Sequence, residues 1–214
     1  MKKSFIVSMF ITLIGLVLAI WFVINNPGEV PINWNIAGEV DEYGSAWFLL
    51  MFPGIALLTT LLMYFLPKID PKGENIKKSG PILPITMVLI ATLMIGIQIF
   101  IIMAIRGGNI FNMTTFIFLF LGVMFIVMGH FMPRVKHNYM LGIRTPWTLH
   151  SEKVWTKTHL VARNWFMLMG MSYLFGIFLP VPANMIIPLI LTLVIVIGLV
   201  IYSYLLYGKE KKIK

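Results

Sequence analysis

The sequence predicts an all-α polytopic membrane protein with six transmembrane helices, a short hairpin-like outer loop and a cytoplasmic interfacial helix between helices four and five. Three observations carry that reading. Of the 214 residues, 59% are hydrophobic and 12% charged, with mean hydropathy +0.90; soluble domains average about 45–50% apolar and about 25% charged. Six stretches (about 5–24, 47–66, 82–105, 113–132, 164–180 and 185–207) approach the roughly 20 apolar residues that cross a ~30 Å hydrocarbon core. Six crossings also put every Lys and Arg except Arg106 on the side of the termini, which the positive-inside rule assigns to the cytoplasm.

The first helix follows Lys2 and Lys3. Its apolar run exceeds the ~7–15 residues of a signal-peptide core and no A-x-A-like site follows, so it is expected to be retained. The outer loop, 25–46, carries Glu29, Glu39, Asp41 and Glu42 and no Lys or Arg. Alternating Val30, Ile32, Trp34 and Ile36, then Gly38 and Gly44, suggest a short hairpin lying on the membrane. Excluding basic residues would leave such a loop acidic by default; the functional alternative is a cap that attracts a cationic peptide or a metal cation. The loop lacks His, so no transition-metal site is assigned. Cysteine is absent from the chain, which removes disulfides, thiolate metal sites and cysteine nucleophiles. No cofactor is implied.

Pro81 and Pro84 sit at the start of the third helix, Pro188 early in the sixth, and Pro133 closes the fourth. Trp21 and Trp47 match an outer aromatic belt, and Tyr202, Tyr204 and Tyr207 an inner one. Polar residues at membrane depth are few (Thr59, Thr60, Gln98 and His130), which counts against an ion pump. Gly122 and Gly129 on the fourth helix, with Gly170 and Gly176 on the fifth, point to close helix packing. The expected organisation is an N-terminal two-helix unit, 1–80, and a four-helix unit, 81–214, with a cytoplasmic segment at 133–163.

That segment holds the densest chemistry of the chain. Between Asn138 and Trp165 lie Trp147 and Trp155, Arg144, Lys153, Lys157 and Arg163, His150 and His159, and Glu152. Gly142 marks a left-handed or crowded backbone position. Thr145 before Pro146 is biased away from helix and Pro146 starts one, expected over roughly 147–163 along the membrane. At 100° per residue, Trp147, Val154, Thr158, Val161 and Trp165 form a stripe for the interface, while Lys153, Lys157 and Asn164 face water and anionic headgroups. Glu152, His159 and Arg163 fall within a ~40° arc with Trp155 at its edge. Three readings of that face are open: a hydrogen-bonded network with Arg144 or His130, a partner- or ligand-binding site, or an acid–base pair. Zinc is not assigned, because positions 150 and 159 point apart and no H-x-x-x-H spacing occurs.

At these residues the chain resembles the SdpI family of bacterial membrane proteins. The resemblance lies in Asn138, then Gly142-Ile143-Arg144-Thr145-Pro146-Trp147-Thr148-Leu149, Ser151-Glu152, Val154-Trp155 and Thr158-His159. The outer loop also resembles the domain of unknown function that often precedes it, through Pro31, Trp34-Asn35, Gly38, Asp41 and Tyr43-Gly44-Ser45. The chain departs from those patterns at Asn33, Ala46 and Leu160. The resemblance implies immunity to a secreted peptide toxin, met on the outer side, and docking of a cytoplasmic transcriptional repressor rather than direct contact with nucleic acid.

Two functional classes follow. One is a membrane-embedded immunity and signalling protein. Its binding residues would be Asn138, Arg144, Thr145, Trp147, Glu152, Trp155, His159 and Arg163 inside, and Trp34, Asn35, Glu39, Asp41 and Glu42 outside. The other is a membrane-embedded enzyme acting on lipid or peptide at the inner leaflet through Arg144, Glu152 and His159.

Overall fold

The structure, a computed structural model, describes residues 1–35, 37–107 and 112–213. Ile36 of the expected strand alternation and Lys214 of the basic tail lie outside the described residues. The chain forms two compact units, each discontinuous in sequence: residues 1–64 with 84–120, and residues 65–83 with 121–214.

The first unit starts with helix α1, Lys2–Asn25, followed by strands β1, Glu29–Trp34, and β2, Val40–Ser45. The strands pair antiparallel, with Val30 opposite Gly44 and Pro31 opposite Tyr43. An irregularity follows, where Asn33 faces Glu42 and Trp34 faces Val40. The hairpin expected from the alternation is present. Its inward residue Val30 is 1% exposed and packs with Phe22, Leu49, Phe52 and Ile101, so the hairpin is part of the core of its unit. Gly38 closes the tip at φ +82°, a conformation glycine adopts at little cost. Ser45 accepts from the Trp47 N–H and starts a single 3-10 turn leading into α2, Met51–Ile69. Helices α4, Ile82–Ile105, and α5, Met113–Phe131, follow a short helix, α3, Gly73–Lys78. Gln98 of α4 is fully buried and donates through Nε2 to the Gly15 carbonyl of α1 at 2.7 Å. Such interhelical bonds in membranes average about 0.6 kcal/mol.

In the second unit, α6 is Pro146–His150, α7 Glu152–Gly176 and α8 Ala183–Ile213. Its core joins Ile82, Met132, Val135, Trp155, Ala162, Met169, Ile195 and Leu199. A Cβ on Gly122 would stand 2.5 Å from the Leu174 side chain, and one on Gly170 2.5 Å from the Gly122 carbonyl. The glycines expected to pack α5 against α7 do so there.

Five described helices are long and apolar enough to cross a membrane: Lys2–Asn25, Ala46–Ile69, Ile82–Ile105, Met113–Arg134 and Ala183–Lys211. The expected fifth span, 164–180, is not among them. It is the second half of α7, which begins at Glu152 and carries Lys153, Lys157 and Arg163 before its apolar part. From Trp165 to the helix end at Gly176 the rise is roughly 18 Å, short of the ~30 Å core. The separate interfacial helix expected at 147–163 is likewise redrawn. Ser151 has extended backbone (ψ 121°) and splits that stretch into the one-turn α6 and the start of α7.

Candidate functional site

The segment 134–163 folds around Trp155 and two histidines. Thr145 and Pro146 begin α6 as a reciprocal cap. The Thr148 N–H donates to Thr145 Oγ1 at 3.2 Å, the Thr145 N–H donates to Thr148 Oγ1 at 2.9 Å, and Pro146 fills a position whose N–H would be spare. Ser151 then caps α7, its Oγ accepting from the Val154 N–H, while its hydroxyl donates to Glu210 of α8 at 2.6 Å.

Trp155 is 1% exposed, and its Nε1–H donates to the Val135 carbonyl at 2.8 Å. His159 stacks on it, rings 4.2 Å apart at 20°, and His137 lies 5.1 Å away on a tilted plane. The neighbours of the two imidazoles fix opposite tautomers. His159 Nδ1 faces the Trp155 carbonyl at 2.8 Å and so carries the proton, leaving Nε2 to accept the Ile143 N–H at 3.0 Å. His137 Nε2 donates to the Leu149 carbonyl at 3.1 Å, leaving Nδ1 to accept from the Lys72 ammonium at 2.9 Å. Burial lowers the His159 pKa from its ordinary value near 6.5 to about 4; the bond to the Trp155 carbonyl opposes the shift and His137 adds to it.

Gly142 explains why the loop can reach His159. Its φ is +111°, and a Cβ there would collide with His159 Nε2 and stand 3.2 Å from the Trp155 ring. Asn138, fully buried, closes the preceding turn. Its Oδ1 accepts from the Met140 and Leu141 N–H groups, and its Nδ2 donates to the Lys136 and Leu141 carbonyls.

The connector between α2 and α4 supplies the other wall, a role the sequence reading missed. The buried Asp70 carboxylate accepts from the Lys72 N–H at 2.6 Å and the Tyr139 N–H at 2.8 Å. Asn75 donates to the His137 carbonyl at 2.7 Å, and the Ser79 hydroxyl accepts from the Lys136 N–H at 2.9 Å. Ser203 of α8 is within 3.0 Å of Thr145 Oγ1. Apart from the Lys72 N–H beside Asp70, their partners lie 57 to 69 positions away, so nothing local marks these residues.

Of the inner residues expected to act together, Asn138, Thr145, Trp155 and His159 are buried in this arrangement, and Trp147 rests 5.0 Å from the Tyr204 ring. Glu152 and Arg163 are exposed. The expected network of Glu152, His159, Arg163 and Arg144 is not formed among the described residues: His159 spends both nitrogens on backbone groups, and Arg144 donates to the Tyr139 carbonyl at 3.0 Å. Helical projection places side chains on one arc, but the loop at 142–143 occupies the space beside His159. With both nitrogens committed and the ring buried, His159 has no free site for proton exchange with a bound substrate.

In the β1–β2 hairpin, Asn35 and Glu39 tie the tip. The Glu39 N–H donates to Asn35 Oδ1 at 3.0 Å and Asn35 Nδ2 donates to Glu39 Oε2 at 3.1 Å. Trp34 packs against the core of its unit, and Asp41 and Glu42 are exposed. No cluster of three His, Asp or Glu among the described residues could hold a metal ion.

Residues 134–203 match the family model described as the SdpI/YfhL protein family, and residues 10–57 match a domain of unknown function, DUF1648. A curated relative, the "Immunity protein SdpI" of Bacillus subtilis (strain 168), is 26% identical over 159 residues, covering 72% of each chain. No solved structure matches.

Proposed function

We propose, for a chain that belongs to the SdpI/YfhL family, that it is a membrane-embedded immunity protein: its outer hairpin meets a secreted cationic peptide toxin, and its 133–163 segment presents a rigid cytoplasmic surface to a repressor. The likeness to an immunity protein over 72% of the chain is the observation that carries this reading. The exposed Asp41 and Glu42 supply the charge that would draw a cationic peptide to the hairpin. On the other side, the partner would read Arg144, Trp147, Glu152 and Arg163. The buried Asn138, Thr145, Trp155 and His159 would hold that surface in shape, a division the burial pattern supports.

The proposed orientation has both termini in the cytoplasm and six crossings, the half of α7 beyond Trp165 making the fifth together with the apolar residues 177–181 that follow it. Parity supports it. If α7 did not cross, Lys209 and Lys211 at the end of α8 would join the acidic hairpin outside, against the positive-inside rule. Cysteine labelling of intact cells should find Ser45→Cys reactive and both Ser151→Cys and Gly208→Cys protected. A reactive Gly208→Cys would remove the sixth crossing.

Immunity is tested by survival. Expression in a toxin-sensitive bacillus should raise survival, and Asp41→Asn with Glu42→Gln should reduce the gain, about fivefold in toxin dose if the two charges together contribute ~1 kcal/mol to capture. Survival no better than in cells without the protein would sink the immunity reading. An unchanged gain in the double variant would sink only the role of the acidic hairpin.

A further inference from the structure

The crevice between α7 and α8 changes character along its length in the order of a phospholipid. At its outermost end a cavity of about 530 Å³ is lined by His150, Ser151, Glu152, Lys153, Tyr207, Glu210 and Lys211, within the ~300–1,000 Å³ typical of small-molecule sites. A second, of about 160 Å³, shares Lys153 and Glu210 and adds Lys157, Lys209 and the apolar Val154 and Leu206. One helical turn further along both helices, a third cavity of about 210 Å³ is almost wholly apolar, lined by Val161, Trp165, Val194, Ile195, Gly198, Leu199 and Tyr202. A Cβ at Gly198 would meet no atom within 4 Å, so the groove is open there.

The charges suit one class of occupant. Lys153, Lys157, Lys209 and Lys211 line the two cavities with the carboxylates Glu152 and Glu210, leaving a positive excess, and Glu210 already accepts the Ser151 hydroxyl. The lysines stand just beyond Tyr204 and Tyr207, the aromatic level at which headgroups begin. The apolar cavity beside Val161 and Trp165 lies on the side of the lysines towards which, in the proposed orientation, α7 runs into the membrane.

We infer that this crevice is a binding site for one anionic phospholipid, its phosphodiester held by Lys153 and Lys211 and an acyl chain laid in the groove beside Gly198. The site stands whether or not the protein confers immunity.

The test uses the full chain purified in detergent and titrated with palmitoyl-oleoyl phosphatidylglycerol or the matching phosphatidylcholine under native mass spectrometry. One phosphatidylglycerol per chain should be retained, with about tenfold preference over phosphatidylcholine. Lys153→Glu with Lys211→Glu should abolish the preference, each lysine near a headgroup being worth about fivefold. Gly198→Phe should reduce retention of both lipids severalfold while leaving the preference. Equal retention of the two lipids by the unchanged chain, or a preference untouched by the charge reversals, would overturn the assignment. So would displacement of the lipid by millimolar inorganic phosphate, which would make this an anion site alone. Should the double variant fail to fold, the lipid comparison on the unchanged chain and the Gly198→Phe variant still decide.

Discussion

Trp155→Ala should destabilise the second unit by about 3–5 kcal/mol, the cost range for truncating a buried aromatic side chain. Trp155 is 1% exposed, packs against two imidazoles, and holds the Val135 carbonyl through Nε1. Removing it leaves a cavity and an unpaired carbonyl, and takes away the surface on which His159 stacks. Trp155→Phe keeps most of the volume and loses the N–H, so it should cost less, roughly 1–2 kcal/mol. Membrane insertion should be unaffected, since none of the five apolar helices contains residue 155. Limited proteolysis of membranes is the measurement: the Ala variant should be cut rapidly within residues 134–151 and the Phe variant at an intermediate rate. Equal resistance in all three proteins would mean that Trp155 does not organise this segment.

Acidification should loosen the same region through His159. In the folded protein its ring is neutral, with Nδ1–H donating to the Trp155 carbonyl and Nε2 accepting from Ile143, and burial lowers its pKa to about 4. In the unfolded chain the ring takes up a proton near 6.5. Between those values the unfolded state binds more protons, so stability is at its full value above pH 6.5 and falls as the pH drops toward 4. The span corresponds to a loss of roughly 3 kcal/mol by pH 4. Protonation also sets an N–H of the ring against the Ile143 N–H, so the loop at 142–143 is the first part expected to open. His159→Gln removes the titration and keeps a carbonyl able to accept from Ile143. Protease resistance of residues 134–151 followed from pH 7.5 to 4 should fall in the unchanged protein and stay flatter in the Gln variant. Parallel curves would exclude His159 as the responsive group.

What could be read beforehand follows the range of the interactions. Apolar runs such as 82–105 and the alternation of Val30, Ile32 and Trp34 are local signals, and the corresponding helices and hairpin are present. Gly142 and Pro146 were also legible, because backbone conformation is set by the residue itself. The division of 147–163 was not, because Ser151 acts through its bonds to Val154 and the distant Glu210. His159 was correctly singled out but given the wrong neighbours: a helical wheel compares residues of one helix, and its partner is a loop amide 16 positions upstream. Asp70, Lys72 and Asn75 read as an ordinary polar linker, since what distinguishes them is burial against a segment more than 60 residues away.

That linker has a consequence for how the chain is inherited and assembled. The two matched regions, 10–57 and 134–203, both leave out residues 65–83, yet these belong to the same compact unit as the second region. A segment exchanged between relatives at the edges of the matched region would bring the Tyr139 amide and His137 without the Asp70 carboxylate and Lys72 ammonium that meet them. During synthesis the linker leaves the ribosome some sixty residues before its partners, so Ile82 waits for Met132, Val135 and Trp155 until the chain has passed through α5. The recurring sequence module is thus smaller than the piece that folds, and a graft that respects the fold must begin near residue 65 and skip what lies between.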